Sequence, residues 1–411
     1  MGVTPEDKAI TINFDCQFEV RLKDSTFSSI LAAFAELLPQ LLTDFIQKVL
    51  VGFGEHAMVL KKKPFACGCC GNDEHFTWKT RHGKKTKLHA FYQWVEIPQL
   101  QVLCKRCGSK LSITRKLLGM EPKKRIAAEI YRKLGLLGSL TTYRVAEKIG
   151  GMFGWAVDKM TIWSAVQKTA SEIEFKLDSK ELPQGEADGT GIGIKGIAKR
   201  GKELKVFVQY KHGGGVRVAG LDIGNYNGAW DKLFKNSIEV FKGFRRRFVL
   251  TTDGDTSILD GLKDKVKVLV QRCLWHIPYQ AQYVLWQDDV KRKSGEWLHV
   301  VSELMEICAI RPFVDCKKTI EAIIKSKRKR LEAVIEHCRE KGYTHTVSYL
   351  ENARPDMFTA IEKRLSGKTT SRVERLMRTV NMRINVSKWS DAGALNVTKI
   401  RLAYYYNGFD A

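Results

Sequence analysis

Two pairs of cysteines restrict this chain more than any other feature. Cys67-Gly-Cys69-Cys70 is followed, after 33 intervening residues, by Cys104-Lys-Arg-Cys107-Gly108. Each pair offers two sulfurs from one tight turn, and a neighbouring glycine eases such a turn. Two knuckles of this spacing fit one Zn²⁺ held tetrahedrally by four thiolates. Cys67, Cys70, Cys104 and Cys107 are the expected ligands, within a zinc-ribbon-like module over residues 64–115. Cys69 leaves the register of the first knuckle open, and His75, His82 and His89 are nearby substitutes. A closed four-thiolate set has no open position for water or substrate, so the expected role of the zinc is structural. Clustered cysteines of this kind point to a reducing compartment rather than a disulfide framework.

The charge balance points to a partner. Lys and Arg number 69 against 45 Asp and Glu, a formal net charge of +24, spread along the chain. That excess favours a polyanion through counterion release, with nucleic acid as the expected partner. Lys61–Lys63, Arg81, Lys84, Lys85 and Lys87 surround the cysteine module and suit phosphate contact. No uninterrupted apolar run reaches the roughly 18 residues of a membrane span; Ile30–Val51 is broken by Glu36, Pro39, Asp44 and Lys48. The N-terminus lacks the basic start and apolar centre of a signal peptide. A cytoplasmic, nucleoid-associated protein with no membrane partner is expected.

The chain is long enough for several domains. Residues 1–63 carry a strand-like stretch, Ile10–Leu22, then a helix from Phe27 to about Val51, and no recognisable chemistry. Short strands are expected at Phe91–Ile97 and Gln101–Leu103. Residues 116–180 read as helices, with Thr141–Ile149 and Lys159–Ala170 on either side of Gly150-Gly151 and Gly154. This helix, turn and helix is helix-turn-helix-like and suits DNA reading. From 181 to 411 the pattern becomes α/β. Strands are expected at Gly185–Ile194, Leu204–Tyr210 and Val216–Ile223, followed by a helix at Ala229–Phe241. A strand at Arg247–Thr252, a helix at Ile258–Lys263 and a strand at Val266–Gln271 complete the run. This β-β-β-α-β-α-β order is that of a ribonuclease H-like mixed sheet. An all-helical insertion is expected over about 281–368. Within it Ile320, Ile323, Ile324, Leu331, Val334, Ile335 and Cys338 keep helical spacing, opposite Lys325, Lys327, Arg328, Lys329 and Arg330. A last helix starts near Arg372.

Two Asp-Gly pairs fall on these strands. Asp188-Gly189 sits inside the first and Asp253-Gly254 at the end of the fourth, places that are adjacent in such a sheet. Carboxylates brought together there repel unless cations bridge them. Mg²⁺ or Mn²⁺ takes such oxygen ligands, and a metal pair can activate an attacking oxygen and stabilise a leaving one. A third ligand is expected from a later helix, at Glu374. Ser371-x-x-Glu374 is equally a capping box, in which Glu374 would only close the helix start. Glu306, Glu351 and Glu362 are alternatives for the third ligand. Asp255 is an alternative for the second, or the cap of the following helix.

From about Gly185 to Asn407 the chain resembles the Mutator-like superfamily of DDE transposases, which includes insertion-sequence enzymes of bacteria and archaea. The resemblance rests on Asp188-Gly189, Asp253-Gly254, Cys273-Leu-Trp-His276 and Glu374. Nineteen residues separate Asp253 from Cys273, and 120 separate Asp253 from Glu374. Met382-Arg383, Trp389, Gly393 and Arg401 look similar to the region after the family's catalytic Glu. The resemblance implies Asp188, Asp253 and Glu374 as catalytic metal ligands, with Cys273 and His276 as motif residues packed beside them. It implies cleavage at transposon ends, strand transfer into target DNA, and an N-terminal region that binds terminal inverted repeats. A homo-oligomer on DNA is expected. A nuclease of the same fold without strand transfer, and a DNA-binding regulator derived from a transposase, are the competing readings.

Overall fold

The computed structural model describes residues 19, 24, 26–81, 85–90, 93–117, 125–152, 157–197, 202–226, 228, 230–310, 317–365 and 369–409. The expected strand over Ile10–Leu22 (Glu19 apart) lies outside them, as do His82, Lys84, Phe91 and Gly154. The chain divides into two compact units, Met1–Thr169 (with Ala411) and Ala170–Asp410.

The first unit opens with α1 (Phe27–Val59). Thr26 caps it by accepting from Ser29 N at 3.2 Å. The helix runs two turns past the expected end near Val51 because its last part is packed: Ala57 is buried against Phe65, Phe76, Leu100 and Val102. Ile46 and Leu50 bury themselves against Leu88, Val95 and Ile97. Its first half leaves Phe27, Leu31, Phe34 and Leu38 exposed. By length and composition alone α1 could cross a membrane, since the charges at Glu36, Asp44 and Lys48 do not interrupt it.

Five strands follow: β1 (Phe76–Thr80), β2 (Lys85–Ala90), β3 (Gln93–Pro98), β4 (Gln101–Cys104) and β5 (Lys110–Ser112). They form an antiparallel sheet β1-β4-β5 and a separate hairpin β2-β3. Then come α2 (Ile113–Leu117), α3 (Ala128–Leu140), α4 (Tyr143–Met152) and α5 (Lys159–Ser171). Ile130, Leu134, Ala146, Val157, Ile162 and Ala165 make one core for α3, α4 and α5. Asp158 starts α5 by accepting from Met160 N and Thr161 N at 2.7 and 3.0 Å.

In the second unit a mixed five-stranded sheet is built from β6 (Gln184–Ile192), β7 (Lys202–Tyr210), β8 (Val216–Gly224), β9 (Val249–Thr252) and β10 (Leu269–Arg272). Its order is β10-β9-β6-β7-β8. The β6-β7-β8 meander is antiparallel, and β9 joins β6 in parallel, as does β10 to β9. The division falls near residue 170 rather than 181 because the intervening stretch packs on this sheet: Leu177 is buried in its core, and Asp178 N donates to Gln209 Oε1 at 2.8 Å.

One sheet face buries Ala187, Phe207, Ala219 and Leu250 against Trp230, Leu233, Phe234, Phe241 and Phe248. The single helix expected at Ala229–Phe241 is broken into α6 (Trp230–Phe234), a 3₁₀ turn (Lys235–Ser237) and α7 (Ile238–Gly243). At the break, buried Ser237 accepts from Leu177 N at 3.0 Å, tying the turn to a distant segment. A short α8 (Thr256–Asp260) follows β9.

Between β10 and the last two helices stands a helical body: α9 (His276–Gln287), α10 (Gly295–Cys308), α11 (Lys317–Glu340), α12 (Thr344–Ala353) and α13 (Thr359–Glu362). It has its own core, in which Ile277, Ala281, Leu285, Leu304, Leu331 and Leu350 are buried. The basic face expected on α11 is partly spent inside this body. Arg330 pairs with Glu303 at 2.8 Å, Arg328 with Glu362 at 2.5 Å, and Lys327 donates to Glu306 O at 2.5 Å.

The chain ends with α14 (Ser371–Ile384) and α15 (Asp391–Tyr406). They cover the other sheet face, α14 over β6 and β7 and α15 over β8. Arg383 stacks on Trp389 at 4.6 Å, and Arg401 donates to Thr379 O at 2.8 Å, so these tail residues hold α14 and α15 together.

Candidate active site and thiolate cluster

The two knuckles are built alike. Gly71 N donates to Cys67 O and Gly108 N to Cys104 O, each at 2.9 Å. Both glycines have φ of 70°, a region that favours glycine. Cys67, Cys70, Cys104 and Cys107 thereby bring their sulfurs within 4.8 Å of one another, a set that could hold a metal such as zinc. Ser109 Oγ lies 2.9 Å from Cys67 Sγ and 3.1 Å from Cys107 Sγ, and Asn72 Nδ2 donates to Cys104 Sγ at 3.3 Å. Donors around a thiolate cluster offset its negative charge. Cys69 is exposed and outside the set, which settles the register left open by the spacing. His75 is also exposed, and the buried His89 ring packs edge-on against Trp94, so neither belongs to the set.

The second site grows out of the β6-β9 pairing. Gln184 faces Val249, Gly185 faces Leu250 and Glu186 faces Thr251. Continuing that register by two residues puts Asp188 opposite Asp253. In-register residues of a parallel pair point to the same side, so both carboxylates leave the sheet on the α14 face. Burial, and then the charge of Asp253, push the Asp188 carboxyl up to about 7. Gly189 N donates to Asp188 Oδ1 at 2.8 Å, and Asp255 N to Asp253 Oδ1 at 2.9 Å. Asp255 itself caps α8, accepting from Ser257 N at 2.8 Å.

Asp188-Gly189 lies inside β6, whereas Asp253-Gly254 forms the bend after β9, an Asx turn closed by Asp255 N on Asp253. A Cβ on Gly189 would occupy the place of the Glu203 carboxylate, and one on Gly254, whose φ is 111°, that of the Arg272 guanidinium. Glu203 is paired at 2.9 Å with Lys205, a fully buried lysine whose ammonium also lies 4.3 Å from the Trp230 ring centre.

Glu374 reaches the same region from the first turn of α14. The capping box does not form. Thr370, not Ser371, precedes the helix, and the Glu374 carboxylate lies 3.5 Å from His276 Nε2 and 3.3 Å from Thr370 Oγ1. The Cys273 thiol, buried, accepts from Thr370 N at 3.3 Å. Cys273 and His276 thus meet Thr370 and Glu374 in one cluster. Burial works to lower the His276 pKa, but Cys273 and the charges of Asp188 and Asp253 outweigh it and hold the imidazole above its ordinary value. Among the described residues only the four thiols form a group of three or more ligand atoms all within 4.8 Å of one another, so Asp188, Asp253 and Glu374 do not form one such group. Glu351 pairs with Arg339 at 2.8 Å and Glu362 with Arg328, which occupies two of the three alternatives inside the helical body.

Sequence reasoning missed Glu186. Its side chain, fully buried, accepts from Arg372 N at 3.1 Å and Val373 N at 2.7 Å, and Tyr210 Oη donates to its other oxygen. Glu186 therefore caps the helix that carries Glu374 from a position two residues before Asp188. Arg372 closes the arrangement by stacking 4.1 Å over the Tyr210 ring. Burial pushes the Glu186 carboxyl up to about 7. The only hint in the sequence is an acidic residue on the inward face of a central strand.

Compared with known proteins, the chain matches no protein-family model, and no curated protein matches it.

Proposed function

We propose that the second unit is a ribonuclease H-like catalytic domain and that the protein is a metal-dependent DNA transposase of the Mutator-like kind it resembles. The sheet supports this reading: an antiparallel three-strand meander, extended in parallel by two strands on the side of its first member, is the arrangement such a domain needs. The carrying observation is the register that sets Asp188 opposite Asp253 at the sheet centre, with Glu374 brought over them by α14.

Mg²⁺ or Mn²⁺ held by Asp188, Asp253 and Glu374 would activate the attacking oxygen and stabilise the leaving oxygen of a phosphodiester. Asp188, Asp253 and Glu374 do not all lie within 4.8 Å of one another, so two ions are proposed, neither of which touches all three. Asp188, buried beside a like charge, is poor at holding its own charge without a cation, which favours cation binding. His276 fixes the orientation of Glu374, and Cys273 with Thr370 fixes His276. Lys and Arg outside the core hold DNA by its phosphates, so affinity should fall steeply with salt. The four thiolates of the first unit serve a structural zinc.

The test uses DNA carrying the element's ends, a target duplex and Mn²⁺. Asp188→Asn, Asp253→Asn and Glu374→Gln should each abolish cleavage while end binding persists. Joined end and target strands are expected from the unaltered protein. Cleavage without joining would leave a nuclease, and normal cleavage by Glu374→Gln would remove Glu374 from the site.

A further inference from the structure

The helix α9 leaves the candidate active site with an uncovered row of rings. Trp275, Tyr279, Tyr283 and Trp286 are 53%, 41%, 53% and 72% exposed. At about 100° per residue they fall within a stripe roughly 80° wide. The opposite side of the helix carries Ile277, Ala281 and Leu285, all buried in the helical body. The fold therefore anchors α9 by its aliphatic side and turns every large aromatic side chain of this segment outward. Exposing a Trp and a Tyr singly is common, but four rings on one helix face, three of them in contact, signal a partner.

The file begins at the carboxylates. The Trp275 ring lies 5.0 Å from that of His276, whose Nε2 is 3.5 Å from Glu374. Trp275 stacks on Tyr279 at 5.1 Å with planes 18° apart, and Tyr279 meets Tyr283 edge-on at 5.6 Å. From Trp275 to Trp286 the file extends about 16 Å along the axis, the length of four or five bases at a stacking repeat of about 3.4 Å. The helix contains no Asp, Glu, Lys or Arg, and exposed Lys291, Arg292 and Lys293 stand just beyond its far end, with Asp289 exposed before them. Asp288 is taken up in accepting from His345 N and Thr346 N at 2.9 and 2.8 Å.

We propose that this row is a stacking track for unpaired nucleotides of the DNA strand at the cleavage site. The proposal rests on the reading of the carboxylates as a DNA-cleaving centre and adds the form of its substrate: a strand whose bases are unpaired next to the scissile phosphate. Every base offers a π-face, so aromatic rings hold single strands without regard to sequence, while cations beyond the row follow the phosphates. A row of rings with no carboxylate along it, and three cations against one exposed carboxylate beyond its end, complements bases and phosphates together.

The experiment measures anisotropy of a labelled oligothymidylate and of a labelled duplex with the full chain, without added Mg²⁺ or Mn²⁺. Tyr283 and Trp286, the rings farthest from the carboxylates, are replaced together. Tyr283→Ala with Trp286→Ala should weaken oligothymidylate binding at least about tenfold and leave duplex binding within about twofold. Tyr283→Phe with Trp286→Phe should restore single-strand binding, because the π-faces return. Unchanged single-strand affinity in the Ala pair would overturn the proposal. So would a fall in oligomeric size at constant affinity, which would make the row a protein interface. Cleavage by the unaltered protein is read separately with Mn²⁺. Its absence beside row-dependent binding would sink the cleavage reading and leave the track standing; cleavage without row dependence would sink the track alone.

Discussion

Truncating Glu186 tests how the helix bearing Glu374 is held. Glu186→Ala removes the acceptor of Arg372 N and Val373 N and strands the Tyr210 hydroxyl in the buried layer between β6, β7 and α14. Loss of an N-terminal cap costs about 1 kcal/mol. Leaving a buried hydroxyl without its acceptor adds about 1–3 kcal/mol. Together, about 2–4 kcal/mol should lower Tm of this unit by roughly 5–15 °C. Glu186→Gln keeps an oxygen for the two amides and should cost about 1 kcal/mol or less. The functional loss should exceed the stability loss. A displacement of Glu374 on the order of 1 Å is enough to slow phosphodiester cleavage about a hundredfold, because reacting groups must be placed that closely. Thermal melts followed by circular dichroism, with cleavage rates measured below the melting range of every variant, give both readouts. A Glu186→Ala protein that melts within about 2 °C of the original, a shift worth under 1 kcal/mol at this size, and cleaves normally would refute the idea that this carboxylate sets α14.

The thiolate set predicts about one Zn²⁺ per purified chain, as expected for a single four-thiolate site. Cys69→Ser should leave that content unchanged, whereas Cys67→Ser or Cys104→Ser should reduce it, as atomic absorption would show; equal loss from Cys69→Ser would move the register of the first knuckle. Gly254→Ala should abolish Mn²⁺-dependent cleavage and lower stability, because the added carbon meets the Arg272 guanidinium at a φ of 111°. Normal melting and cleavage in that variant would show that the loop after β9 yields without moving Asp253.

The amino-acid order by itself set the strand and helix sequence of the second unit, since alternation, turn residues and helical spacing are local signals. The expected strands at Gly185–Ile194 and Val216–Ile223 differ by only a residue or two at each end from β6 and β8. It also named four thiols by their spacing, because a knuckle is a short-range structure. Where a local signal was ambiguous, distant contacts decided. Ser371-x-x-Glu374 describes a capping box as well as it describes a helix offering a free carboxylate. The carboxylate of Glu186, 186 residues away in the chain, takes the capping role and frees Glu374. Ala229–Phe241 has the spacing of one helix, but Ser237 is drawn to Leu177 and the helix divides. The outward row on α9 drew no reading from the sequence; which side of the helix is buried is decided by Ile277, Ala281 and Leu285 packing into the helical body. Residues close in sequence set which element forms; which side chains meet depends on how sheets and helices pack, and that is decided only when the whole chain is folded.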